Sequence, residues 1–90
     1  MLSKRPKLTT NEVNVAIDAL IAKLFKEIKR KGPHTFSSRH EIQGLLKEEF
    51  DEFNEAVHSG SAKKLKEELL DVALTAIYGY ACINAKKVDW

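Results

Sequence analysis

Three runs of this chain repeat apolar residues at three- and four-residue spacing, and each run opens on a Ser or Thr able to cap a helix. Thr9-x-x-Glu12 is a capping box, in which the hydroxyl and the carboxylate satisfy free backbone amides at a helix start. Val13, Ile17, Leu20, Ile21, Leu24, Phe25 and Ile28 follow in helical register until Gly32-Pro33 stops the run, which predicts a helix over 10–31. Ser38-x-x-Glu41 reads as a second capping box and opens a helix that continues to His58. Gly60 supplies its stop, and Ser61 caps a third helix that reaches Ala85. No period-two alternation of Thr, Val and Ile appears, so strands are not expected. The expected architecture is all-α: a small helical bundle of three main helices joined by short connections.

Ninety residues make one domain. The helical part spans 9–85, preceded by a basic arm over 1–8 that contains Pro6 and followed by the tail KKVDW at 86–90. A chain this short buries a modest share of its surface, so a second copy is expected to complete the bundle. The single cysteine, Cys82, has no intrachain disulfide partner, and no apolar run approaches the roughly 20 residues of a membrane span. MLSKRPKLTT does not lead into a signal-peptide core, so a cytoplasmic location is expected. The net charge of +2 hides an asymmetry: residues 1–40 hold nine Lys/Arg against three acids, whereas residues 41–71 hold four against nine. That segregation suits a protein that binds an anion through a metal in its acidic half.

Within the acidic half stand two pairs, Glu49-x-x-Glu52 and Glu68-x-x-Asp71, with fifteen residues between them. At about 100° per residue, Ile42, Leu45, Leu46, Phe53, Ala56 and Val57 share one side of the second helix, with Glu49 inside that arc and Glu52 on its edge. On the third helix Leu65, Leu69, Val72, Ala76, Tyr80 and Ile83 form one apolar arc, and Leu70, Leu74, Ile77 and Ala81 a second. Between them runs a stripe of Glu68, Asp71, Thr75, Tyr78 and Cys82, expected to line a cleft while one arc packs within the subunit and the other against a partner. Buried carboxylates must be protonated, meet Lys or Arg, or ligate a metal. The core faces show no Lys or Arg beside these four. Oxygen ligands at i, i+3 on two adjacent helices suit a hard cation such as Mg²⁺, with Mn²⁺ a substitute.

EEFDE followed by EELLD resembles the EExxE…ExxD signature of the MazG-like, all-α nucleoside triphosphate pyrophosphohydrolases, whose superfamily includes dimeric dUTPases. The likeness covers about residues 38–83, and KGPHTFSSRHEIQGLL looks like the lead-in to the same helix in short members. It implies a bundle that forms a homodimer or homotetramer, with Mg²⁺ held by Glu49, Glu52, Glu68 and Asp71. It implies a reaction in which water attacks the α-phosphorus of a nucleoside triphosphate, with Glu48, Glu49 and Glu52 as the catalytic carboxylates and Glu48 at the margin of the inward face. Lys64, Thr75 and Tyr78 are the candidate substrate contacts, and Lys86 or Lys87 could meet phosphates. Helix 1 offers only Phe25 where family members place an aromatic residue or amide against the base, so base recognition has no assigned residue.

Two other readings compete. Glu55-x-x-His58 matches the i, i+3 pair of di-iron bundles but points away from Glu49 and has no second copy. A non-catalytic dimerisation or nucleic-acid-binding module would use Lys4, Arg5, Lys7 and the basic residues between Lys26 and Lys31. Those residues surround several faces of helix 1 and no helix-turn-helix spacing appears, so nucleic acid is not the expected partner.

Overall fold

The computed structural model describes residues 5–88; Lys4 of the basic arm and the last two tail residues lie outside them. Three helices account for the regular structure of the described residues: α1 Thr10–Lys31, α2 Arg39–Ser59 and α3 Ala62–Asn84. None is long and apolar enough to cross a membrane.

The boundaries follow the punctuation in the chain. Thr9 and Glu12 form the reciprocal capping box, and Gly32 ends α1 at φ 87° with its N–H donating to the Ile28 carbonyl. Ser38 accepts from the Glu41 N–H, but the returning bond differs from the expected box. The Glu41 carboxylate takes the N–H and hydroxyl of Ser37, because consecutive serines offer it two amides and it reaches the earlier one. Gly60 ends α2 in the left-handed conformation, φ 73°, and Ser61 at once caps α3 by accepting from the Lys64 N–H. That short connection makes α2 and α3 an antiparallel hairpin.

The hairpin holds the core. Ile42 and Ala56 of α2 are buried, as are Thr75, Gly79 and Cys82 of α3. The α3 stripe expected to line a cleft therefore continues as the packing seam itself. Thr75, Gly79 and Cys82 recur at spacings of four and three, and their small size lets α2 come close. A Cβ placed on Gly79 would lie 3.0 Å from Ile42 Cγ2. Of the two apolar arcs, Leu74 meets Leu24 and Ile28 of α1 around a cavity while Ile77 and Ala81 of the same arc are exposed, as are Leu69, Tyr80 and Ile83 of the other.

Helix α1 packs on α3 alone and has no buried residue. Its Val13, Ile17 and Ile21, one stripe at four-residue spacing, are exposed. The radius of gyration is 15.3 Å, against about 12 Å for a compact chain of this length. The three helices thus form an open bundle with apolar faces turned outward.

Candidate metal centre

The i, i+3 spacing puts Glu49 and Glu52 on the α3-facing side of α2, and Glu68 and Asp71 on the α2-facing side of α3. The hairpin then brings the two pairs together. One carboxylate oxygen from each of Glu49, Glu52, Glu68 and Asp71 lies within 4.8 Å of all the others. Glu49, Glu68 and Asp71 are half-buried; Glu52, placed at the edge of the arc by the helical wheel, reaches in from an exposed position. Glu48 is exposed and outside the cluster.

Four negative charges at this separation oppose one another. Within 4.8 Å each pair of ionised carboxylates repels by at least about 3.5 kcal/mol with an effective dielectric of 20. Burial, then the charges of Glu52 and Asp71, a hydrogen bond shared with the Glu52 carboxyl and the charge of Glu68, push the Glu49 carboxyl up to about 7. Glu68 is also raised, by burial first and then by Asp71 and Glu52, with Lys23 pulling the other way. Glu49 Oε2 and Glu68 Oε2 are buried and find no hydrogen-bond partner among the described residues. Oxygen donors from two adjacent helices, with buried lone pairs left over, fit a hard divalent cation such as Mg²⁺ or Mn²⁺.

The cluster also has a neighbour absent from the helical wheels of α2 and α3. Lys23 of α1 extends its ammonium to Asp71 Oδ1. The expectation of no nearby Lys or Arg is corrected accordingly: it holds along α2 and α3, and the cation arrives from the third helix. Its signal in the chain was a lysine at the margin of the apolar face of α1, between Leu20 and Leu24.

Beside the cluster is a cavity of about 220 Å³ lined by Leu24, Glu27 and Ile28 of α1, His34 and Phe36 of the following loop, and Leu74 and Tyr78 of α3. Leu74 stands three residues after Asp71, so the cavity begins about 5 Å farther along α3. The Tyr78 hydroxyl donates to the His34 carbonyl at 2.7 Å, and its ring meets Phe36 edge-on at 5.3 Å between centroids. Tyr78 therefore ties α3 to the α1–α2 loop while its ring forms a cavity wall. Burial raises the Tyr78 hydroxyl above its ordinary value, followed by the nearby Cys82.

The remaining candidates fall elsewhere. Thr75 lies in the α2–α3 seam with 8% of its surface exposed, which leaves little for a ligand to touch. Lys64 is exposed one turn before Glu68. Lys86 and Lys87 border Thr35, Phe36 and Ser37 at the far end of α3, about 22 Å along the helix axis from Asp71. Phe25 is 62% exposed and is not part of the cavity wall. Glu55 and His58 are exposed, and no second acidic or His/Cys cluster forms among the described residues. Compared with known family models, curated proteins and solved structures, the chain matches none.

Proposed function

We propose that this protein is a Mg²⁺-dependent nucleoside triphosphate pyrophosphohydrolase that cleaves a ribo- or deoxyribonucleoside triphosphate to the monophosphate and pyrophosphate. One observation carries the reading: four of the five carboxylates of the EExxE…ExxD pattern, all but Glu48, meet within 4.8 Å. Two of them also keep buried oxygens without a hydrogen-bond partner among the described residues. Mg²⁺, when bound, supplies charge neutralisation for the polyphosphate and a more acidic water.

The chain's own residues would divide the work. Glu49, Glu52, Glu68 and Asp71 hold the cation, and their combined charge makes the site repel a polyphosphate unless a cation comes with it. Glu48, exposed next to Glu49 and outside the cluster, is free of the metal in this reading and would be the carboxylate that takes the proton of the attacking water. Cleavage then breaks the bond between the α-phosphorus and the oxygen bridging to the β-phosphate. The cavity of Leu24, Ile28, Phe36 and Tyr78 offers apolar and aromatic walls for the base, with Glu27 and the loop backbone as polar partners.

A homodimer or homotetramer belongs to the same reading. The stripe of Val13, Ile17 and Ile21 and the arc of Leu69, Tyr80 and Ile83 give a second copy apolar faces to cover. The competing reading, a non-catalytic dimerisation or nucleic-acid-binding module, has less to rest on. Of the basic residues near the end of α1, Arg30 and Lys31 are engaged by Glu27 of their own helix.

Phosphorus NMR of the common nucleoside triphosphates, incubated with protein and Mg²⁺, tests the assignment. At least one should yield monophosphate and pyrophosphate, and Glu68→Gln or Asp71→Asn should lower the rate at least about a hundredfold with the helicity intact. Orthophosphate and a diphosphate as products, or no turnover of any nucleotide, would reject it.

A further inference from the structure

The Lys23–Asp71 pair differs from three ion pairs formed within α1 and α2. Glu27–Arg30, Glu27–Lys31 and Lys47–Asp51 each lie within one helix, on side chains more than half exposed on at least one partner. Lys23–Asp71 joins α1 to α3, with the two side chains 27% and 31% exposed. Its acid is one of the four cluster carboxylates.

An ammonium and a divalent cation compete for the same carboxylate lone pairs and repel each other at the distance of a shared ligand. Lysine suits a removable partner. It is a point charge on a flexible four-carbon stem, with no bidentate geometry to lose when it turns aside. Helix α1 also lacks any buried residue that would fix Lys23 rigidly against α3.

The geometry points to Lys23 as a tethered competitor for the divalent cation: it neutralises Asp71 until a metal takes that carboxylate, and is then handed to the polyphosphate that accompanies the metal. This rests on the pyrophosphohydrolase reading for the identity of the polyphosphate, whereas the competition with metal does not. The handover gives the site a reason to accept a metal-bound polyphosphate more readily than bare metal. Bare metal must displace an ammonium that gains no new partner, whereas a metal polyphosphate supplies one.

Two binding measurements with opposite expected signs test this. Mn²⁺ alone, followed by the paramagnetic resonance of the free ion, should bind Lys23→Met about tenfold more tightly than wild type, equivalent to about 1.4 kcal/mol. Inorganic tripolyphosphate with Mg²⁺, followed by calorimetry, should bind the same variant several-fold more weakly. Lys23→Arg retains the charge and should stay near wild type in the first measurement, and circular dichroism checks that both variants keep their helices. A lysine that only staples α1 to α3 would give the variant weaker or unchanged Mn²⁺ binding, and that result overturns the proposal. Equal gains in Lys23→Met and Lys23→Arg overturn it too, since charge would not be the cause. Tighter Mn²⁺ binding by Lys23→Met in a protein that hydrolyses no nucleotide would instead uphold the competition and reject the pyrophosphohydrolase reading.

Discussion

Glu49 sits where burial and three other carboxylates all oppose its charge, and its carboxyl is pushed up to about 7. A carboxyl whose folded value exceeds its ordinary one holds its proton longer in the native state. Its contribution to stability is greatest at low pH and declines as pH rises from 4.5 through about 7. Glu68, raised in the same direction, adds to the decline. Protein stripped with a chelator should therefore melt at a higher temperature near pH 5 than near pH 8. Mg²⁺ should restore the melting temperature on the alkaline side, because it favours the ionised acids. Scanning calorimetry across that range checks both signs, and a flat profile would mean that the four acids do not sense one another. Glu49→Gln should remove much of the pH dependence and raise stability at pH 8 by on the order of 1 kcal/mol, while weakening the response to Mg²⁺.

The two glycines inside helices separate the effects of space and conformation. Gly44 of α2 has nothing within 4 Å of where a Cβ would be, so Gly44→Ala should stabilise, by about 0.5–1 kcal/mol in urea unfolding. At Gly79 the same position lies 3.0 Å from Ile42 Cγ2. Gly79→Val should destabilise by about 1–3 kcal/mol, and Ile42→Ala, which removes the Cγ2 methyl, should cost less beside Gly79→Val than in the wild-type chain. Equal effects at the two sites would show that α2 and α3 do not approach closely at Gly79.

The helix ends were legible in the chain because a cap is a local transaction: Thr9 with Glu12, and Ser61 with the Lys64 amide, need nothing beyond four consecutive residues. The inward direction of Glu49, Glu68 and Asp71 was legible from helical spacing for the same reason. Which flank of α3 would be covered was not. The wheel showed two large apolar arcs, yet α2 chose the stripe between them, since Thr75, Gly79 and Cys82 are small enough to permit a close approach. Lys23 was missed because its meeting with Asp71 depends on how α1 crosses α3, and single-helix periodicity carries no such angle. The Phe36–Tyr78 contact likewise needed the loop to fold back on α3.

As a whole, the molecule leaves much of its apolar surface outside. No side chain is fully buried among the described residues, and the radius of gyration of 15.3 Å exceeds the compact expectation of about 12 Å. Sedimentation velocity at micromolar protein should find a dimer or tetramer, and Ile21→Glu on the exposed α1 stripe should shift it toward monomer and lower its melting temperature. A stable wild-type monomer would contradict that assignment while leaving the carboxylate cluster intact. The cluster itself is what makes the protein a candidate enzyme, and the point of bond cleavage is its central chemical claim. Hydrolysis in ¹⁸O-labelled water, read by the isotope shift in phosphorus NMR, locates that point most directly. Turnover is expected only with Mg²⁺ or Mn²⁺, with a single ¹⁸O on the monophosphate; label in pyrophosphate or orthophosphate, or turnover that survives chelation, would rule out metal-dependent attack at the α-phosphorus.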